Sequence, residues 1–400
     1  MKKRILTLSA MFTVASHLFA ATLFSGEAGL SANFTNKGVS SFDPSLTFDS
    51  FFSGQFTISK SLSIRGELSI QTEDAYDNGP FTETTSQFRI DELSASYAAA
   101  FGGYTHTFSL FLGFFETIGT QQYYVQQLGA QKFSSLATDN YLNLNGPSPY
   151  PLYGFGGAYS IKFNELPMST GLVISRNTEN EEDVAQLNID WRLAASFRYF
   201  SLDLLAGLGA PLYTKDENND EVVLLIDTIY LHTGFDMLIG NRYTTSLFIQ
   251  CGLDYLPVKS SSKSQEIEAR DMYLLFEPRF SISDLKLHLT LFSIPESKAA
   301  KMLLIDDTLG VNFCMFTDGL YTKNRDYTAG INWMVSFEDK NFMSIADEDL
   351  VDTMNIKVAP FIDLHAMGGN VKIMLQANVM KFTEADAEAI KLNIGYKKEL

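Results

Sequence analysis

Leu285-Lys286-Leu287-His288-Leu289-Thr290-Leu291-Phe292 places a hydrophobic residue at every second position and a polar one at most positions between. Successive side chains of a strand point to opposite faces, so the segment predicts a β-strand with one apolar and one wet face. The same beat returns in residues 186–193 (QLNIDWRL), 370–379 (NVKIMLQANV) and 390–396 (IKLNIGY). In a soluble sandwich the apolar face would pack on a second sheet. A membrane-spanning barrel inverts that arrangement, with lipid outside and water within. Periodicity leaves both open, and the N-terminus and the loops decide.

Lys2-Lys3-Arg4 is a basic cluster followed by a mostly apolar run from Ile5 to Phe19 and then Ala20-Ala21. This predicts a secretory signal peptide over residues 1–20, cut after Ala20, although Leu18 only half meets the small-residue rule. A transmembrane anchor is the weaker reading, because the run is short and no other stretch reaches about 18 apolar residues. The formal net charge of −17 falls further without the leader, which leaves 27 basic against 47 acidic residues. Such a chain repels nucleic acid and anionic lipid surfaces. Cys251 and Cys314 make no disulfide framework and no CxxC motif, and are read as isolated strand thiols. The closing Lys397-Lys398-Glu399-Leu400 has the form of a retrieval tag that needs a eukaryotic receptor, and is read as coincidence.

Eighteen candidate strands fit between residues 23 and 397, most of roughly 10–14 residues, long enough to cross a bilayer at a tilt. No linker or long helical pattern interrupts them, so residues 21–400 read as one domain. Tight connections fall at 59–61, 102–103, 164–165, 200, 240–241, 283–284 and 368–369. Long polar ones alternate with them at 35–45, 72–86, 117–151, 177–185, 212–224, 257–267, 294–304, 338–354 and 382–387. The link at 317–325 must belong to the short side and is long for it. The predicted fold class is all-β: a single antiparallel transmembrane barrel of about 18 strands, with 16 as the alternative, short periplasmic turns and long external loops.

Signal peptide, even strand number, loop alternation and apolar-out patterning together resemble bacterial outer-membrane porins over the mature chain, on architecture and without a signature sequence. The resemblance implies a water-filled barrel in the bacterial outer membrane, with lipid, small hydrophilic solutes and the outer-membrane assembly machinery as partners, as a trimer or a monomer. In general porins the third external loop folds inward. Here the third long loop, 117–151, is the longest, and is the candidate constriction with Tyr123, Tyr124, Phe133, Asp139 and Tyr141. One departure is the C-terminus: porins typically end in an aromatic residue, whereas this chain ends in Leu400 with Tyr396 nearby.

If the apolar parity meets lipid, the other lines the lumen. Its expected basic residues are Arg65, Arg192, Arg198, Arg279, Lys286, Lys357, Lys372 and Lys391, with His288. Its acidic ones are Glu67, Asp190, Asp203, Asp236, Asp254, Asp271, Glu277 and Asp363. They would set ion preference in a channel, or pair across strands and hold the wall. The near balance, with acidic loops at the mouth, predicts mild cation preference. Phe292 falls on the wet parity without explanation.

Chemistry is thinly signalled. GxSxG, HExxH and the P-loop are missing. His232, His288 and His365 share a face but lack zinc-ligand spacing. Asp216-x-Asn218-x-Asp220 begins like a calcium loop but carries Glu221 where glycine is needed. No enzyme, cofactor or metal is expected. The first functional expectation is a diffusion porin. The alternatives are a barrel whose acidic external loops bind a host or environmental partner, and a sugar- or carboxylate-specific channel.

Overall fold

Alternation of apolar and polar residues closes on itself here. The computed structural model describes residues 23–37, 44–72, 74–75, 86–115, 118, 121–129, 134–138, 153–177, 186–215, 221–225, 229–241, 243–258, 271–299, 302–317, 327–346, 350–383 and 388–400. The first nine strands are β1 (Leu23–Lys37), β2 (Pro44–Thr57), β3 (Leu62–Thr72), β4 (Ser86–Phe101), β5 (Tyr104–Phe114), β6 (Tyr153–Phe163), β7 (Met168–Asn177), β8 (Gln186–Phe197) and β9 (Phe200–Pro211). Two short strands, β10 (Tyr213–Lys215) and β11 (Glu221–Leu225), pair only with each other. Then follow β12 (Ile229–Gly240), β13 (Thr245–Val258), β14 (Met272–Ile282), β15 (Leu285–Ser293), β16 (Leu309–Thr317), β17 (Tyr327–Phe337), β18 (Met354–Ala366), β19 (Gly369–Asn378) and β20 (Glu388–Glu399).

Leaving out the β10–β11 hairpin, each strand pairs antiparallel with its neighbours in the chain. β1 bonds both β2 and β20, with Leu30 opposite Ser50 on one side and Tyr396 on the other. The result is one closed 18-stranded sheet. Closure leaves no sheet edge, the condition that lets strands cross a membrane with every backbone group paired. Eighteen strands, not sixteen, is therefore the count.

Burial runs inside out. Leu110 is 68% exposed, Phe88 66% and Phe155 65%, while Asp190, Asp236, Asn312 and Ser336 are fully buried. A soluble domain does the reverse. On β15, Leu289 and Leu291 are exposed and Lys286 and Thr290 are buried, so the apolar parity faces outward. Trp191, Trp333, Phe197 and Phe280 lie on the same outer surface, where aromatic residues suit the membrane interfaces. Among the described residues no helix is long and apolar enough to cross a membrane.

Tight turns gather at one end. Gly102-Gly103, with φ of 62° and 82°, and Met367-Gly368, with φ of 56° and 73°, join β4 to β5 and β18 to β19. Both central residues are left-handed, as two-residue hairpins with right-handed twist require. Several boundaries differ from expectation by three or four residues; among them, the strand expected from 268 starts at Met272. The strand expected from residue 305 begins only at Leu309, and the one expected to end at 381 stops at Asn378, before a 3-10 turn at Met380–Thr383. The strand expected from 225 starts at Ile229. The leader at 1–20 and the link at 318–326 lie outside the described residues. Cys251 and Cys314 are both free. Cys314 is buried on the inward parity of β16, whereas Cys251 sits on the outward parity of β13, so the wall separates them.

Candidate functional site

The lumen is where this chain spends its polar residues, and two segments fold into it. The first belongs to the third long connection. A helix there, α1 (Gln121–Leu128), lies against β8 and its neighbours. Tyr123 donates from its hydroxyl to Ser169 Oγ at 2.6 Å, and Tyr124 donates to the carbonyl of Leu202. Arg192 Nη1 reaches the Ile118 carbonyl at 2.6 Å. Further on, Ser135 Oγ donates to Glu277 Oε2 at 2.5 Å, and Arg279 Nη2 donates to the Ser134 carbonyl at 2.7 Å. Burial raises both tyrosine phenols above their ordinary pKa of 10.0; at Tyr124 the nearby Asp203 and Asp236 add to it.

Under α1 and residues 134–138 the inner wall is charged. Glu277 is held by Arg279 Nε at 2.7 Å and Thr290 Oγ1 at 2.6 Å, with His288 Nδ1 3.4 Å away. Asp190 on β8, Gly207 on β9 and His232 on β12 form one cross-strand row. With no side chain on the middle residue, His232 Nε2 meets Asp190 Oδ1 directly above it. Two rows away Asp203 and Asp236 face each other as register partners, both buried.

The second inserted segment, within 294–308 and described at 294–299 and 302–308, contains α2 (Glu296–Ala299) and was not foreseen as an inward loop. Ile294, Ala299, Leu304 and Ile305 are buried against inward residues of the wall, among them Phe292, Leu275, Met334 and Met374. That cluster accounts for Phe292 on the wet parity. Lys357 Nζ donates to both Asp306 and Asp307, and Lys391 Nζ donates to Asp306 Oδ2 at 2.7 Å. Ser336 and Asn355 complete the shell of Asp307, and Gln376 Nε2 donates to the Leu304 carbonyl at 3.3 Å. Burial would raise the Asp306 carboxyl, but the Lys357 and Lys391 ammoniums outweigh it and hold the group below its ordinary 3.8. Asp306 and Asp307 escaped sequence reasoning because the strand expected from residue 305 took both into the wall.

The expected lumen residues distribute as follows. Arg65 pairs with Glu67 at 3.1 Å and with Glu92 at 3.2 Å. Asp363 and Lys372 are register partners on β18 and β19. Lys286 donates to Ser281 Oγ at 3.0 Å. Arg198 instead sits in the turn between β8 and β9, exposed, because the strand ends at Phe197; its guanidinium lies 5.0 Å from the ring of Tyr199. Asp271 is exposed immediately before β14. The side chain of Asp254, and residues Phe133, Asp139 and Tyr141, lie outside the described residues. Among the described residues no group of three or more His, Cys, Asp or Glu side chains is placed to hold a metal ion.

No family model matches the chain, and no curated protein matches it. Solved structures do. The outer membrane protein OpdK from Pseudomonas aeruginosa superposes with a TM-score of 0.50 at 9% identity, covering 94% of this chain and 98% of that one. A variant of the Rh. blastica porin has a TM-score of 0.45 at 10% identity, covering 95% and 100%. At such identity the likeness to OpdK concerns the fold, which is the outer-membrane barrel of the porin type.

Proposed function

We propose that the chain is an outer-membrane channel through which small hydrophilic solutes diffuse, with residues 117–151 and 294–308 narrowing it. The carrying observation is an asymmetry of the inner wall. Along β8, β9 and β12 the inward Gln186, Asn188, Asp190, Arg192, Asp203 and Asp236 are all buried. Around the seam where β20 meets β1, four inward charges keep contact with water: side-chain exposure is 27% for Arg65, 28% for Lys391, 25% for Lys397 and 31% for Glu27. A charged, hydrated strip beside a filled half is a path for polar solutes and a barrier to apolar ones. Diffusion along it needs neither cofactor nor covalent chemistry.

On this reading residues 1–20 are removed on export, and the assembly machinery inserts the barrel as a monomer or a trimer. Lys372 and Asp363 line the strip with the four seam residues. Phe133, Asp139 and Tyr141 belong to the constriction with Tyr123 and Tyr124. The acidic external loops give mild cation preference, which a reversal potential on the anion side in a salt gradient would exclude. Purified protein in a planar bilayer is the direct test. Stepwise conductance that changes when residues 121–145 are deleted supports the channel. Silence under every refolding condition favours a barrel whose external loops bind a partner.

A further inference from the structure

Segment 294–308 differs from the rest of the wall in being joined to it by a narrow neck. Ile294 N donates to the Thr308 carbonyl at 2.7 Å, directly above the last pair of β15 and β16, Ser293 and Leu309. The chain leaves and returns at one point, the geometry of a compact loop whose ends are close. Such a loop can swing as a unit without breaking any barrel pairing. Below the neck, besides the bond from Gln376 to the Leu304 carbonyl, it makes two kinds of contact. Ile294, Ala299, Leu304 and Ile305 pack on apolar inward residues, and Asp306 and Asp307 sit on Lys357 and Lys391.

These two attachments behave differently on release. The apolar one favours the closed position by removing hydrocarbon from water. The ionic one is buried at Lys357 and Asp307 and partly exposed at Asp306 and Lys391, so its attraction is set against desolvation chiefly at the first two. Its groups are Asp306 and Asp307 on the loop, Lys357 on β18 and Lys391 on β20, with the neutral Ser336 and Asn355 on β17 and β18. Glu338, at the end of β17, bonds Asn355 from the far side at 3.1 Å and pairs with Lys381. Neutralising the two aspartates strips the latch while leaving the β15–β16 neck intact, and leaves Lys357 and Lys391 better served by water than by the loop.

We propose that residues 294–308 are a hinged strap across the lumen, latched by Asp306 and Asp307 on Lys357 and Lys391, and that losing the latch swings it off the wall and widens the path. The conductance part of this rests on the channel reading; the movement itself does not, and the two are tested apart. Ala299 is 1% exposed on the strap, so Ala299→Cys in a Cys251→Ala, Cys314→Ala background reports release through its reaction with a water-soluble maleimide. In the folded barrel at neutral pH labelling is slow, and adding Asp306→Asn with Asp307→Asn accelerates it at least about tenfold, with larger conductance steps. Unchanged labelling in a folded barrel overturns the strap, whatever the conductance does. Faster labelling in a protein that never conducts upholds the strap and removes the channel reading. Should the double variant not fold, Lys391→Gln takes its place and must also accelerate labelling; no acceleration there overturns the proposal.

Discussion

Asp190 and His232 meet inside the barrel although a whole strand separates them, because the residue between them in the cross-strand row is Gly207. A Cβ on that glycine would overlap both the carboxylate and the imidazole. The contact belongs to three strands at once and ties β8, β9 and β12 together on the inner face.

Gly207→Val should therefore separate the pair and leave two buried polar groups without each other. Breaking a buried pair costs about 3–5 kcal/mol, and an unpaired buried polar group costs about 1–3. We expect a loss of several kcal/mol in urea unfolding of the refolded barrel, followed by its heat-modifiable gel migration. Gly66→Ala is the control: a Cβ there meets nothing within 4 Å, and its effect should stay within about 0.5 kcal/mol. Equal losses at the two glycines would contradict the role given to the row.

The two parities of β15 predict opposite tolerances. Leu289 is exposed on the outer face and mid-strand, so Leu289→Arg places a charge in lipid, at about 2–4 kcal/mol near the bilayer midplane. In detergent micelles, which let the guanidinium reach water, the penalty should shrink. Thr290→Ala, one position on, loses one hydrogen bond to Glu277 and should cost about 1–3 kcal/mol in either medium. A medium-independent cost at Leu289 would argue against lipid on that face.

How much of this was legible in the sequence follows from which interactions are local. Strand alternation and the short–long rhythm of the loops are local properties, so all eighteen strands could be placed and the faces assigned. Filling of the lumen is not local. Phe248, Leu275, Phe292, Met334 and Met374 stand on the wet parity, and each alone looks like noise. Together they mark an inner surface that something apolar covers, but their grouping appears only once β13 to β19 are side by side. Asp306 and Asp307 find Lys357 and Lys391 across some 50 and 85 residues, a separation that no motif spacing encodes. That α1 and residues 134–138 of the third long connection lie against the inner wall could be anticipated only through the porin resemblance. The anchors, Ile118 to Arg192 and Ser135 to Glu277, had no signal of their own.

Those anchors predict how the inserted helix α1 comes loose. Arg192→Met keeps an unbranched stem but withdraws the charge-assisted bond to the Ile118 carbonyl, worth about 1.5–3 kcal/mol. Tyr124→Phe removes the hydroxyl's bonds to the Leu202 carbonyl and to the backbone of Ala195. Together they should loosen α1 while the strands stay paired. In a planar bilayer the double variant should show larger or noisier conductance steps than the parent with the same heat-modifiable migration. Steps identical to the parent would mean that α1 does not border the conducting path.

Acid should act on the second inserted segment. Asp306 has its carboxyl held below the ordinary 3.8 by Lys357 and Lys391, against a burial that works the other way. A depressed carboxyl stabilises the folded arrangement at every pH above its ordinary value, and that contribution disappears as pH falls through the lowered value. The latch should consequently be intact at pH 7 and at pH 5, and should weaken only below 3.8, where Asp306 takes up a proton. Maleimide chemistry is slow in acid, so the readout is conductance stepped from pH 5 to pH 3 and below. The parent should open in that window. Asp306→Asn with Asp307→Asn, already unlatched, should start from the larger step at pH 7 and change much less. An opening centred above pH 5 would assign the transition to other groups of the lumen.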